Sequence, residues 1–327
     1  MKLKKQLVKL IFLILLIIPL SVSAYSQSVI PGGETIGIEV NSKGILVVGF
    51  YDVDNKAIAK NAGFKLGDLI IKVNDTKVET TTDMINVIKH SKSNIINFIV
   101  LRNNKERSIN LELKLSSDEV LKTGLYVKDK INGVGTLSYI DPTTKIFGSL
   151  GHEILESKTS TKFEIKEGSI YEATVSSIIK SKVGEAGEKN AAYKKDNVYG
   201  KVNENTITGI YGQYTHDITN KSTIEIGKKE TVTTGKAAIR TVIEGNKVEL
   251  FEIDILRLNT DSNTKNILFE ITDERLLKET GGIIQGMSGS PIIQINKLIG
   301  AVNYVVVNDP TKGYGIFIET MLEEGEN

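Results

Sequence analysis

The sequence contains no cysteine among its 327 residues. A disulfide framework, a thiolate metal site and a cysteine nucleophile are therefore excluded. Histidine is nearly as scarce: only His90, His152 and His216 are present. None of them lies in the HExxH spacing of a zinc peptidase, so no metal site is expected. Chemistry that needs an imidazole base has to use one of these three residues.

An excess of charge of either sign is also missing. Lysine and arginine number 41 and aspartate and glutamate 40, which gives a net charge of +1. This balance argues against a protein that binds nucleic acid through bulk electrostatics. With 40% hydrophobic and 25% charged residues, the composition is that of a globular protein, and the length favours two domains.

One long apolar run is present, at the N-terminus. Four lysines within the first nine residues precede LIFLILLIIPL, and small residues follow at Ser23 and Ala24. This order is typical of a secretory signal. The run is shorter than the roughly 20 residues that a spanning helix prefers, but flanking residues could extend it to an uncleaved anchor. Residues 1–24 are therefore interpreted as a signal peptide or membrane anchor, and the protein is expected to work outside the cytoplasm.

A linker and a small domain follow the N-terminal segment. Residues 25–35 contain Pro31 and two glycines and are predicted to be a linker. Residues 36–115 contain five runs rich in β-branched residues, bounded by Gly, Asn and Asp. Between two of these runs, TTTDMINVIKH has apolar residues at helical spacing after a Thr/Asp cap. The pattern predicts a compact α+β domain.

Two stretches of this domain, GILVVGF (44–50) and AIAKNAGFKLGDLIIKVND (57–75), resemble a PDZ domain. In such a domain a loop exposes N–H groups to a peptide carboxylate, and the adjoining strand accepts the peptide as an extra strand. The residues that would form this groove are Gly44, Ile45, Leu46, Val47, Met84, Val87 and Ile88. Each of them is also compatible with the core of a small β-rich domain.

From residue 123 to residue 327 the pattern is that of an all-β domain. Short strand-like runs recur every 8–12 residues or so with Gly, Asn and Asp turns, which indicates a sandwich or a barrel. Gly245-Asn246 lies between two runs and predicts a hairpin turn. The stretch DERLLKET predicts a short helix that ends at Gly281.

The segment GGIIQGMSGSPII (281–293) places Ser288 between glycines. A serine hydroxyl is a weak nucleophile unless a base takes its proton and donors hold the developing oxyanion. Gly286 would let its own N–H and that of Ser288 point at one oxygen, and Gly289 would clear space for substrate. The string resembles the G-x-S-G-x-P signature of chymotrypsin-like serine peptidases. A tight turn between two core strands is the alternative interpretation.

His152 is the best candidate for the base. It follows the apolar stretch IFGSLG and precedes Ser288, and this order is the one used by two-barrel serine peptidases. His90 ends the predicted helix of the PDZ-like domain, and His216 lies in a turn-like stretch.

Three longer stretches together resemble one family: GTLSYIDPTTKIFGSLGH, NTITGIYG and TDERLLKETGGIIQGMSGSPIIQINKLIGAV. That family is the stage IV sporulation protein B peptidase of endospore-forming Firmicutes. The resemblance implies a mostly-β protein with an N-terminal signal or anchor, a PDZ domain (36–115) and a chymotrypsin-like double β-barrel serine peptidase domain (123–327).

The resemblance also implies an activity. Members are exported to the space between forespore and mother cell and cleave themselves near the N-terminus. They also cleave a regulatory subunit of a membrane-embedded protease complex, which then activates the late mother-cell sigma factor. The implied partners are this membrane-associated protein substrate and a peptide tail bound by the PDZ domain. No cofactor is implied.

Carried over to this sequence, the resemblance makes Ser288 the nucleophile, His152 the general base, and Gly286 and Ser288 the oxyanion-hole amides. The family's acidic residue matches Asp273, but an aspartate there is also an excellent helix N-cap, so both roles stay open. Asp141, Asp217 and Asp254 are the substitutes for the acid. After His152 the family has glycine where this sequence has Glu153.

Two other functions are weighed against this one. A non-catalytic adaptor would keep the PDZ domain and lose the peptidase activity, which the intact Ser288 and His152 argue against. An esterase would usually show strands alternating with long helices, and this sequence lacks that pattern.

Overall fold

The computed structural model describes residues 25–115 and 121–326, and the expected signal or anchor, residues 1–24, lies outside them. The first part of the chain contains β1 Ser28–Pro31, β2 Thr35–Phe50, α1 Ile58–Ala62, β3 Leu69–Val73, β4 Thr76–Lys77, α2 Thr81–Lys89, β5 Ile95–Arg102, β6 Lys105–Glu112, β7 Lys114–Leu115, β8 Leu121–Lys122, β9 Leu125–Ile140 and β10 Ile146–Ser149. The remainder contains β11 Ile165–Ile179, β12 Glu188–Thr206, β13 Gly209–Tyr214, β14 Ile224–Ile226, β15 Gly235–Val242, β16 Val248–Leu258, β17 Ile267–Ile271, α3 Glu274–Thr280, β18 Pro291–Gln294, β19 Lys297–Val305, β20 Lys312–Phe317 and α4 Ile318–Gly325.

Six antiparallel strands close the first barrel. The pairing runs β9–β10–β13–β12–β11–β2 and returns to β9. Alternate residues of β2, namely Ile36, Ile38 and Val40, are buried in its core with Phe147 and Ile170. This period of two is the one expected when one face of a strand lines a barrel interior.

Six further antiparallel strands close the second barrel. The pairing runs β15–β16–β17–β20–β19–β18 and returns to β15. Ile239, Phe251, Phe269 and Ile292 are fully buried in its core. The double β-barrel fold predicted from the sequence is therefore confirmed.

Strand β1 connects the two barrels and corrects one prediction. Its residues pair with β9 of the first barrel and with β14, which runs parallel to β19 of the second. Val29 and Ile30 are buried. Part of the expected linker, residues 25–35, is therefore a structural strand. The strand has only four residues, and Pro31 with the two glycines after it is typical of a loop, so the sequence pattern did not indicate a strand.

The PDZ domain is inserted into the first barrel. The first half of β2, as far as Asn41, pairs with the barrel strands β9 and β11, and the second half, from Ile45, pairs with β3 of the PDZ domain. Strand β9 returns along the same path, because its first residues pair with the PDZ half of β2 and its last residues with β10. Ile36–Val40, which the sequence assigned to the PDZ domain, therefore belong to the barrel.

The two helices predicted from the sequence, α2 and α3, begin and end as expected, whereas α1 and α4 were not predicted. Thr80 caps α2 with a reciprocal pair of hydrogen bonds to Asp83, the capping-box arrangement. Gly281 ends α3 with φ of 69°. In the described ranges no helix is long and apolar enough to cross a membrane.

Candidate active site

Ser288 lies in a tight turn between α3 and β18, which we call the nucleophile turn (residues 285–290). Gly286 and Gly289 have φ of 93° and 94°, values that residues with a Cβ rarely adopt. The Ser288 side chain is half-buried. The glycines that flank it are therefore required by the backbone conformation.

The nucleophile turn packs directly on the first barrel. A Cβ at Gly289 would lie 2.0 Å from the Thr136 carbonyl oxygen and 2.6 Å from the Leu150 nitrogen. The Thr136 N–H donates to the Ser288 carbonyl at 2.9 Å, and its Oγ1 donates to the Gly286 carbonyl at 2.7 Å. Only glycine at position 289 allows this approach, which brings the turn beside the loop that carries His152.

His152 follows β10 in a loop that is fixed on several sides. Its ring stacks on Tyr304 of the second barrel, with centroids 5.5 Å apart. Asn205 of β12 holds the next residues, since its Oδ1 accepts from the Ile154 N–H at 2.8 Å and its Nδ2 donates to the Ile154 carbonyl at 3.0 Å. The imidazole is therefore held between the two barrels.

His152 and Ser288 line the same cavity, whose volume is about 330 Å³. The apolar residues that line it are Ile38, Ile131, Val134, Leu150, Ile154 and Leu155. The other two histidines lie elsewhere. The His90 ring contacts the Asn86 carbonyl at the end of α2, and the His216 ring packs on Tyr199.

The Ser288 hydroxyl donates a long hydrogen bond of 3.4 Å to the Asn303 carbonyl. In the described part of the chain no hydrogen bond joins it to His152. Catalytic hydrogen bonds are often long or misaligned before substrate binds. The Ser288 hydroxyl therefore has to leave the Asn303 carbonyl before it can give its proton to His152.

The two expected oxyanion-hole donors are free. Across residues 25–115 and 121–326, neither the Gly286 N–H nor the Ser288 N–H donates to a protein acceptor. By contrast, the Gly289 N–H donates to the Val302 carbonyl and the Ser290 N–H to the Met287 carbonyl. The turn thus leaves unpaired the two amides that an oxyanion would need.

Burial lowers the pKa of His152 below its ordinary value of 6.5, and the hydrogen bond and charge of Glu153 oppose part of this shift. The His152 Nδ1 lies 2.8 Å from the Glu153 carbonyl oxygen. Because a carbonyl can only accept, Nδ1 carries the hydrogen and Nε2 is left with a free lone pair. The ring is neutral and basic at neutral pH.

The structure does not bring Asp273 to His152. The Asp273 Oδ1 accepts the Leu276 N–H at 2.8 Å and caps α3. In the described residues no hydrogen bond joins this carboxylate to His152, and the carboxylate whose charge affects the pKa of His152 is that of Glu153. The expectation that Asp273 orients the base is therefore corrected in this structure, where the residue is an N-cap.

Two of the three substitute acids have other hydrogen-bond partners. Asp141 accepts from the Ser26 N–H and from the N–H groups of Thr143 and Thr144, and Asp217 accepts from Thr219. Asp254 lies on β16, opposite Glu270. Within the described ranges none of the three is bonded to His152, and the Glu153 carbonyl holds the position where a triad would place its acid.

The expected peptide-binding strand of the PDZ domain is not an edge. Leu46 pairs with Leu69 of β3 on one side and with Lys128 of β9 on the other. Ile45 and Val47 are fully buried, and a Cβ at Gly44 would lie 2.6 Å from the Ile70 carbonyl oxygen. A peptide cannot add to a strand whose two edges are paired, so the prediction for residues 44–47 is wrong.

Helix α2, which was expected to form one wall of the peptide groove, also contributes to the core of the PDZ domain. Met84 and Ile88 are buried in the PDZ core, and Val87 packs against it half-buried. Strand β9 lies beside the start of α2, where the Asp129 Oδ2 accepts the Thr81 N–H at 2.6 Å. Among the described residues the first part of β9 pairs only with β2, so the open edge beside α2 belongs to β9.

Sequence reasoning missed Thr136, Asn205 and Lys189, whose buried side chains contact or support the site. Thr136 and Asn205 lie within stretches that carry the family resemblance. Lys189 lies in a polar stretch that gives no sign of burial. No cluster that could hold a metal ion is found in the described ranges.

Comparisons with known proteins identify both domains. The family model described as SpoIVB peptidase S55 matches residues 119–322, and a PDZ-domain model matches residues 35–113. No curated protein matches the chain.

A solved structure described as "Crystal structure of Rv3671c protease, inactive form" is similar at 11% identity, with a TM-score of 0.34, over 59% of this chain and 82% of that chain. The SpoIVB model covers well over half of the sequence and includes both His152 and Ser288. The chain therefore belongs to the SpoIVB peptidase S55 family and is a sporulation serine peptidase with a PDZ domain.

Proposed function

We propose that the protein is an exported serine endopeptidase in which Ser288 is the nucleophile and His152 the general base. The observation that carries this proposal is the single cavity that both side chains line, on a turn with two free amides. The Ser288 Oγ attacks the scissile carbonyl carbon while its proton passes to the His152 Nε2. The amides of Gly286 and Ser288 bind the resulting oxyanion, and His152 then gives the proton to the leaving amine.

The Glu153 carbonyl takes the orienting part that an aspartate plays in other serine peptidases. It accepts the Nδ1 hydrogen and so fixes the tautomer, but as a neutral group it stabilises the imidazolium less than a carboxylate would. The nearby Glu153 carboxylate supplies a negative charge that raises the pKa of His152. The pair of interactions favours the protonated ring that forms during attack.

The cavity favours a substrate with an apolar side chain beside the scissile bond. Apolar residues, Ile131, Val134 and Leu150 among them, make up half of its lining, and the charged residue that lines it is Glu153. An aliphatic side chain that fills such a pocket loses its contact with water, whereas an anionic one would be desolvated beside the Glu153 carboxylate.

The proposed substrates are the protein's own N-terminal region and a regulatory subunit of an intramembrane protease complex that controls mother-cell sigma-factor processing. Family membership and the signal-like residues 1–24 support export to the space between forespore and mother cell. The PDZ domain would bind a peptide tail of the substrate or of the protein itself along the open edge of β9. Titration of N-terminal and substrate peptides into the protein tests this, and unchanged binding after Tyr126→Pro would rule out the β9 edge.

The decisive experiment compares the protein without residues 1–24 with its Ser288→Ala and His152→Ala variants. Labelling by a fluorophosphonate probe and N-terminal self-cleavage are both followed. Labelling and cleavage by the wild type alone would support the peptidase. A folded wild type that neither labels nor cleaves would favour the adaptor, in which only the PDZ domain acts.

A further inference from the structure

Lys189 is a fully buried lysine with no acidic partner. It lies on β12, its residue exposure is 4%, and its Nζ lies 2.9 Å from the Thr241 Oγ1 and 3.5 Å from the Thr35 Oγ1. In the described part of the chain it forms no ion pair. A buried ammonium without a counter-charge is costly, and such a lysine tends to lose its proton.

The charged side chains beside these contacts do not pair with Lys189. Glu34, next to Thr35, pairs with Lys221 through Oε1, and its buried Oε2 has no hydrogen-bond partner among the described residues. Arg240, next to Thr241, donates to the Pro31 carbonyl. Glu188, the neighbour on β12, is exposed, and residues 285–290 of the nucleophile turn include no charged residue. Burial alone lowers the pKa of Lys189 from its ordinary 10.5 to about 7.

Lys189 contacts the start of the nucleophile turn directly and is linked to its end through Thr241. At the start its backbone N–H donates to the Gln285 carbonyl at 2.9 Å, and a Cβ at Gly286 would lie 3.1 Å from the Lys189 Cβ. At the end the Ser290 Oγ donates to the Thr241 Oγ1 at 3.0 Å, and Thr241 is bonded to the Lys189 Nζ. A residue of the first barrel thus supports a turn of the second.

We propose that Lys189 is a positioning residue whose uncharged amine holds the nucleophile turn in its active conformation, so that protonation of this amine loosens the turn and slows the attack by Ser288. The inference rests on the proposed role of Ser288 as nucleophile. Lys189 is not itself the base, because its Nζ is bonded to Thr241 and Thr35 and not to Ser288.

Burial without a counter-charge explains the dependence on charge. The Lys189 Nζ donates to the Thr241 and Thr35 hydroxyls, and Thr241 also accepts from Ser290. Two neutral hydroxyls do not compensate the desolvation of an ammonium. Protonation therefore places an uncompensated charge under Gly286, which favours an opening of the turn toward water.

The test compares the wild type with Lys189→Met, which keeps the apolar stem and removes the amine. Lys201→Met is the matched control, because Lys201 lies on the same strand and its amine is also bonded to a hydroxyl, that of Ser169, but in a partly exposed place. The rate of fluorophosphonate labelling is measured from pH 5.5 to 9. In the wild type we expect two ionisations, that of His152 and a second near neutral pH.

Lys189→Met is expected to label roughly 10- to 100-fold more slowly at pH 8 and to lose the second ionisation, with an unchanged or higher melting temperature. Lys201→Met should match the wild type. A purely structural role would instead lower the melting temperature and leave the pH profile alone. Wild-type rates and both ionisations in Lys189→Met would overturn the proposal.

Amide hydrogen exchange of residues 285–290 separates this inference from the peptidase proposal. Exchange in the wild type should accelerate as the pH falls through the second ionisation, after correction for the intrinsic rate, and that step should be absent in Lys189→Met. If the wild type does not label at all, the peptidase proposal fails, while the exchange step still decides whether Lys189 controls the turn. Equal exchange profiles in the two proteins would show that Lys189 does not control the nucleophile turn.

Discussion

Thr136 and Ser288 are joined by a hydrogen bond of 2.9 Å, in which the Thr136 N–H donates to the Ser288 carbonyl. The same threonine donates its hydroxyl to the Gly286 carbonyl. One residue of the first barrel therefore fixes the carbonyls of Gly286 and Ser288, which belong to the peptide groups that directly follow the two proposed oxyanion-hole amides.

Thr136→Val should slow labelling of Ser288 and lower the free energy of unfolding by about 1–3 kcal/mol. The variant keeps the shape of the side chain but leaves the buried Gly286 carbonyl without its donor. Ser138→Ala is the matched control, since the Ser138 Oγ is buried on the same strand and has no partner in the described residues. Labelling kinetics and chemical denaturation measure both effects, and a Thr136→Val protein that labels normally would contradict the proposed coupling.

Gly289→Ala should abolish most of the activity. Its Cβ would lie 2.0 Å from the Thr136 carbonyl oxygen, so the turn has to move away from His152, and a displacement of about 1 Å can cost roughly 10²-fold in rate. Gly245→Ala separates this clash from backbone strain, because Gly245 also has positive φ (56°) but open space around its Cβ position. Similar losses of labelling in both variants would show that strain alone is responsible.

In the Lys189→Met background, where the second ionisation is absent, the acid limb of the labelling rate should have its midpoint below pH 6.5. Burial lowers the pKa of His152 from that value, so the neutral, basic ring persists to lower pH. Glu153→Gln removes the carboxylate that opposes this shift. It should move the midpoint of the acid limb to lower pH without raising the plateau of the labelling rate. Glu112→Gln, an exposed change in the PDZ domain, should leave the profile unchanged. A midpoint that rises in Glu153→Gln would show that the charge of Glu153 does not reach His152.

Two substitutions of Asp273 separate its role as a helix cap from a role as the orienting acid of His152. Asp273→Ala should lower the free energy of unfolding by about 0.5–2 kcal/mol, whereas Asp273→Asn, which also caps well, should retain it. If Asp273 acts only as a helix cap, the asparagine variant should label at close to the wild-type rate. A stable asparagine variant with a rate lower by about 10⁴-fold would instead identify an orienting acid.

Lys189 also predicts a dependence of stability on pH. Its pKa is about 7 in the folded protein and 10.5 ordinarily, so the unfolded chain binds more protons between these values. The free energy of unfolding should therefore rise with pH across this window, by up to about 1.4 kcal/mol per pH unit. Below pH 7 the contribution is constant. Denaturation of the wild type and Lys189→Met from pH 7 to 9.5 measures it, and parallel curves would contradict a deprotonated buried amine.

The sequence predicted the parts of the site that local backbone rules determine. Gly286 has the positive φ that its place in the turn predicts, and Thr80 and Gly281 begin and end helices by rules that act within a few residues. Gly289 was expected to clear space for substrate, but its missing Cβ instead lets the turn pack on Thr136. Asp273 shows the limit of such reasoning, because one residue at one spacing satisfies both a cap and a triad, and only its contacts distinguish them.

Long-range pairing could not be predicted. Residues 35–50 form one strand in which the polar residues Asn41 to Lys43 separate two apolar runs. Alternation gives the faces of these runs but not their partners, so the groove was assigned to Gly44–Val47 although β9 pairs with that edge. Lys189 was missed for a related reason, since lysine is rarely buried and its surroundings come from two distant strands and the nucleophile turn.

The insertion of the PDZ domain has a consequence for synthesis and for truncation. Ile36 pairs with Gly135 and with Glu172, so the first barrel cannot close on a nascent chain until both later segments have been made. A fragment that begins at the start of the family match, residue 119, lacks a barrel strand and leaves two exposed edges. A version without the PDZ domain has to keep residues 35–41 and bridge them to residue 130, and a single cut at the apparent domain boundary would yield an aggregation-prone open sheet.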